Sequence, residues 1–325
     1  MATHDESRTV STHFCWITEA LSAGACLLAW RCACISTNGG AAAQELNALR
    51  DALRSNTHLA ELSAGGLPLP PPTAEALGEL VAASASLASL CAGDAETGDE
   101  SAAALAPGLA RSRALLRLDL SNRALGPAGA AALARALASG GLPNGGSAAP
   151  GSHDPATLAA AALGGAQPGL HTLVLAGNRG LGDAGAAALA PAALVLSELD
   201  LSGCGLGPDG AAALAGRAGG GVGAAAGPYG RLSVLRLGAN QLGPAGAAAL
   251  ATLVGGRGLR ELHLPGCAIG DAGARRAALS AAKMCSQGRL LSAEQTRVAL
   301  QASTNGVVGV ACMCSLSARA FCLGR

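Results

Sequence analysis

The stretch Leu232 to Leu250, LSVLRLGANQLGPAGAAAL, decides how the chain is read. Leu232, Leu235 and Leu237 follow the spacing L-x-x-L-x-L. The alternation of Leu235, Arg236 and Leu237 has period 2, so a short strand hides two leucines and shows one arginine. Asn240 follows three residues after Leu237, where an amide can satisfy backbone groups that the bend leaves open. Leu242 points back inward. Gly243-Pro244 punctuates the chain, and proline suits a helix's first turn because its missing N–H needs no partner there. Gly246 to Leu250 is alanine-rich, as a helix prefers. The unit is strand, bend, helix, return. One copy cannot bury its leucines alone, whereas stacked copies can.

Seven copies align on the first leucine of L-x-x-L: Leu59, Leu87, Leu115, Leu170, Leu196, Leu232 and Leu259. Successive gaps are 28, 28, 55, 26, 36 and 27 residues, so the unit is 26 to 28 long and two gaps are oversized. The extra residues lie in Gly/Pro/Ser-rich stretches near 139–155 and 218–230, which read as spacer loops. The first two copies are worn: Ala64 and Ala92 stand where the third leucine belongs. The bend holds Arg123, with Asn122 beside it, and then Asn178, Cys204, Asn240 and Cys267 in turn. Asp183 and Asp271 occupy positions where a helix cap would accept a backbone N–H.

Residues 1–43 form a lead, 44–279 the repeats and 280–325 a tail or cap. The lead's apolar run, Leu21 to Ile35, is broken by Arg31 and is shorter than the roughly 20 residues a membrane span needs. Asp5, Glu6 and Glu19 spoil it as a signal peptide. Cys15, Cys26, Cys32 and Cys34 have atypical zinc spacing. Residues 44–58 place Leu46, Leu49 and Leu53 on one helical face. In the tail, Leu291 to Leu300 reads as one helix capped by Ser292. The terminal Cys-Leu-Gly-Arg suits prenylation badly.

The totals bound the function. The formal net charge is +1, so no general field draws nucleic acid or an anionic membrane to the protein. Phe14, Trp16, Trp30, Tyr229 and Phe321 are its aromatic residues, and all lie outside the repeat units, which leaves a core of leucine and alanine. The 11 cysteines are dispersed and odd in number, and no Asn-x-Ser/Thr acceptor occurs. A reducing, cytoplasmic setting is expected.

From Leu115 to Leu279 the pattern L-x-x-L-x-L-x-x-N/C-x-L-G-x-x-G-x-x-x-L-A, with Asn and Cys bends alternating, resembles leucine-rich repeats of the ribonuclease-inhibitor type. The resemblance covers residues 44–279, more weakly before 115. It implies an α/β horseshoe solenoid with a parallel sheet on the concave face and helices on the convex face. It also implies a protein-binding role. Similar repeats occur in Ran GTPase-activating proteins and NACHT-type receptors, but no Walker A loop is present. Seven strands would span roughly 29 Å along the inner edge.

In such a solenoid the residues between the strand leucines form the floor. They are Glu61 and Ser63, Ser89 and Cys91, Arg117, Asp119 and Ser121, Thr172 and Val174, Glu198, Asp200 and Ser202, Val234 and Arg236, and Glu261 and His263. The partner-binding candidates are Glu61, Arg117, Asp119, Glu198, Asp200, Arg236, Glu261 and His263. The strip is mildly acidic, so a protein partner with a basic surface is expected. Enzyme readings fare worse. Glu198 with Asp200 lacks a predicted dry pocket, and His263 with Glu261 lacks a nucleophile. Gly221-x-Gly223-x-x-Ala226 leads from helix to strand, the reverse of a dinucleotide fingerprint. The reading is a non-catalytic interaction scaffold without cofactor or metal. The alternative is a regulator of a small GTPase resembling the Ran type.

Overall fold

The computed structural model describes residues 58–66, 68–139, 169–218, 232–254, 259 and 261–270, with the short stretches 29–31, 47, 50–51, 297–302 and 308–311. It forms two compact units, Met1–Gly180 and Leu181–Arg325.

In the first unit β1 (Ala29–Arg31), β2 (Glu61–Gly65), β3 (Ser89–Gly93), β4 (Arg117–Asp119) and β5 (Thr172–Val174) pair in parallel and in chain order. The connections carry α1 (Pro71–Ala83), α2 (Asp99–Arg111) and α3 (Pro127–Ser139). In the second unit β6 (Glu198–Asp200), β7 (Val234–Arg236), β8 (Glu261–His263) and β9 (Arg297–Ala302) pair in parallel. There β10 (Val308–Ala311) returns antiparallel on β9. Its helices are α4 (Gly182–Leu189), α5 (Pro208–Ala218) and α6 (Gly243–Val254), with a 3-10 turn at Ala192–Leu194. Strand, bend, helix and return repeat as the leucine spacing requires, and the architecture is an open α/β solenoid.

The register puts like beside like. Leu62, Leu90, Leu118 and Leu173 stand side by side across β2 to β5, and Leu199, Leu235 and Leu262 across β6 to β8. All are buried. Each such side chain contributes about 1.5–3 kcal/mol over its exposed state. Ala64 and Ala92 fill the third-leucine position of the worn copies and are fully buried. Small residues also let helices approach. A Cβ on Gly108 in α2 would run into the backbone of Gly78 in α1. Prolines open α1, α3 and α5, where no N–H is missed.

Some expectations are corrected. Residues 297–300, the end of the helix expected over Leu291 to Leu300, belong instead to β9. Val298, Leu300 and Ala302 alternate with polar Arg297 and Gln301, a period that suits a strand. Residues 291–296 of that expected helix lie outside the described residues, as does Asp271. Strands occur beyond the seven repeat strands: β1 in the lead, and β9 and β10 in the tail. Of the helix expected over 44–58, residues 47, 50 and 51 are helical and most of the rest lies outside the described residues. Asp183 does not cap its own helix. Its Oδ1 accepts N–H groups from Gly207 and Gly210, one repeat further on, at 2.7 and 2.9 Å.

Candidate interaction face

At Arg123, Asn178, Asn240 and Cys267 the bend side chain holds its repeat to the one before it. Asn178 Nδ2 donates to Leu175 O in its own repeat and to Leu120 O in the preceding one, at 2.7 and 2.9 Å. Asn240 Nδ2 does the same with Leu237 O and Leu201 O. Cys267 Sγ donates to Leu237 O at 3.0 Å. Burial pushes the Cys267 thiol above its ordinary value, outweighing a backbone hydrogen bond from Asn240, so it stays a donor. Arg123 takes the same role by a longer reach: its Nε donates to Ala92 O at 2.6 Å. The bend carbonyls Ala92, Leu120, Leu201 and Leu237 thus each receive a side-chain donor from the next repeat. This ladder fixes the spacing of the side chains that face away from the core.

Those side chains differ between the units. In the first, Glu61 is exposed, Arg117 is exposed and Asp119 is half-buried. Asp119 Oδ1 accepts from Ser121 N and Oγ at 3.0 and 2.6 Å, and Arg117 lies 4.0 Å from its other oxygen. Arg123 adds a second cation, with Nη2 4.0 Å from Cys91 Sγ. Two carboxylates and two guanidiniums nearly balance. Thr172 is half-exposed, whereas Val174, expected on the floor, is buried.

In the second unit, Glu198, Val234 and Glu261 form one row across β6 to β8, and Asp200, Arg236 and His263 the next. Arg236 pairs with Glu198 across the strands. His263 Nε2 lies 3.3 Å from Glu261 Oε2. Asp200 Oδ1 accepts the Ser202 amide at 2.9 Å. Three carboxylates against one arginine and one histidine leave this face acidic. All eight candidates therefore stand on strand faces, four of them joined in two pairs on the second unit and two more within 4.0 Å on the first. Arg123 was legible as a bend residue, but its charge beside the floor follows only from its reach back to Ala92.

The carboxylates of Glu198 and Asp200 are half-exposed and engaged with Arg236 and Ser202, not held together in a closed cavity. Cys204 and Cys267 are buried cysteines at bends. Among the described residues no group of three or more His, Cys, Asp or Glu side chains is arranged to hold a metal ion. The cysteines Cys15, Cys26, Cys32 and Cys34 lie outside those residues, as does the stretch from Gly221 to Ala226. No helix among the described residues is long and apolar enough to cross a membrane.

The model of the family described as Leucine Rich repeat matches residues 169–190, 194–215 and 259–276. These segments include the strand leucines and the bends of Asn178, Cys204 and Cys267. The fold is that of a leucine-rich-repeat solenoid, and proteins with such repeats are generally binding scaffolds for other proteins. No curated protein matches the chain.

Proposed function

We propose that the chain is a non-catalytic protein-interaction scaffold, built on repeats of the ribonuclease-inhibitor subtype and working in the cytoplasm. The observation that carries the reading is the strand face itself. Polar and charged side chains stand at fixed intervals between fully buried leucines, and the bend ladder holds them there. The partner surface comprises Glu61, Arg117, Asp119, Glu198, Asp200, Arg236, Glu261 and His263. Its acidic part, on β6 to β8, takes a basic surface of a protein partner. Alternating Asn and Cys bends support the subtype, and free thiols at Cys91 and Cys267 suit a reducing compartment.

The test is capture of partners from native cell extract by the wild type and by a variant carrying Glu198→Arg, Asp200→Arg and Glu261→Arg. The expected result is a partner lost from the variant, with wild-type binding that weakens steeply as salt is added. A partner kept by both proteins and insensitive to salt would move the binding site off this face. The regulatory alternative resembling the Ran type predicts that the captured partner is a small GTPase whose GTP hydrolysis the chain accelerates.

A further inference from the structure

The helix starts of the array are tied in pairs. In the first unit, Asp99 of α2 accepts the Gly126 amide at the start of α3, at 2.6 Å. A Cβ on Gly129 would meet the same carboxylate. In the second unit, Asp183 of α4 accepts from Gly207 and Gly210 at the start of α5. A carboxylate at a helix N-terminus satisfies open N–H groups and suits the helix dipole, and here it is supplied from the neighbouring helix. The Gly182 amide, opening α4, in turn donates to Cys204 O at 3.0 Å, and the Gly243 amide, opening α6, to Cys267 O at 3.1 Å. Each tie joins a repeat to the one after it.

Between α5 and α6 the arrangement changes. The position matching Asp183 is Pro208, which has no carboxylate to offer. The start of α6 turns elsewhere: Gly243 to Cys267 O, and Gly246 to Leu242 O at 3.0 Å. The helices meet there through small apolar atoms, since a Cβ on Gly246 would find Ala211 Cβ and Pro208 Cα at 3.3 and 3.4 Å. Directional bonds cross this seam on the strand and bend side. Asn240 Oδ1 accepts the Leu206 amide at 3.1 Å, Gln241 N donates to Leu206 O at 2.9 Å, Ser233 Oγ donates to Ser197 O at 3.0 Å, and Arg236 pairs with Glu198. The 36-residue gap between repeat starts spans this seam, and the 55-residue gap follows α3, the second member of the Asp99 pair. Oversized connections thus follow tied pairs and do not interrupt them.

We propose that the α5–α6 seam is a hinge, at which the helices part while β6 and β7 stay joined. Apolar contact tolerates sliding, whereas a carboxylate held by two amides does not. The hinge axis runs through Asn240 and the Glu198–Arg236 pair.

Residue-resolved hydrogen exchange on the full chain tests this. In the wild type, amides of α6 from Ala247 to Leu250 exchange about fivefold or more faster than those of α5 from Ala211 to Leu214, the ratio that one cap contributes. Asp183→Ala speeds Gly207 and Gly210 and leaves α6 unchanged. Asn240→Cys keeps a donor for Leu201 O, as Cys267 supplies one for Leu237 O, but removes the acceptor for Leu206. It speeds β7 and α6 together and leaves α5 unchanged. Equal or slower exchange of α6 in the wild type, or equal acceleration of α5 and α6 by Asn240→Cys, would overturn the hinge.

Discussion

The bends at Asn178 and Asn240 and those at Cys204 and Cys267 occupy the same place in the repeat and solve different problems. An amide both accepts and donates, whereas a thiol offers one weak donor. Asn178 Oδ1 accepts the amides of Arg123 and Leu125, and Asn240 Oδ1 that of Leu206. Those leucines follow residues in the left-handed region, Ala124 at φ 52° and Gly205 at φ 71°. The left-handed residue turns the next N–H toward the asparagine one repeat on. Arg179 and Gln241, which follow the asparagines, stay out of that region. The cysteine repeats instead receive at the backbone, through Cys204 O and Cys267 O. Each repeat therefore presents amides to the next, and alternation sets the acceptor: an asparagine side chain at one bend and a backbone carbonyl at the following one.

The largest way to break this contrast is Asn178→Ala. It strands the amides of Arg123 and Leu125, takes a donor from the carbonyls of Leu120 and Leu175, and is expected to cost about 3–5 kcal/mol in chemical denaturation. A loss no greater than that of a cysteine bend would end the distinction. Cys267→Ala removes one donor to Leu237 O and is expected to cost about 1 kcal/mol. Its pH dependence sharpens the point. Because the folded thiol titrates above its ordinary value of 9.0, the unfolded chain releases that proton first. Stability is then full below that value and declines as pH rises through the folded one, and Cys267→Ala flattens the decline. The smallest effect separates the neighbours of the bends. Ala124→Gly relieves a left-handed alanine and raises stability by a few tenths to about 1 kcal/mol, whereas Gln241→Gly lowers it by about 0.5–1 kcal/mol. Thermal unfolding that moves the same way for both would remove the conformational difference.

Much of this was legible because it is local. Leucine spacing gives the strand face, and a polar residue three positions after the last strand leucine gives the bend. Even Arg123 is placed correctly by position, since any donor that reaches Ala92 O will serve. What sequence reading missed is carried between repeats. Asp183 reads as the cap of its own helix because the rule for caps looks a few residues ahead, yet its partners lie 24 and 27 residues away. The Glu198–Arg236 pair, 38 residues apart, needs the strand register before it can be seen. The acidic floor consequently reads as uniform in sequence, while Arg123 balances it on one unit and not the other. The strand at 297–302 was missed for another reason: its period of two was present, but no leucine spacing drew attention to it.

The placement of the aromatic residues has an optical consequence. Of the two tryptophans, Trp16 precedes every repeat and Trp30 sits in β1, paired in register with Leu62. The repeat units contain no indole. An unfolding curve followed by tryptophan emission would therefore watch the lead of the chain and β1, while the leucine and alanine core of the remaining repeats melted unseen. Far-ultraviolet dichroism, which senses peptide groups wherever they lie, is the signal that would follow the array.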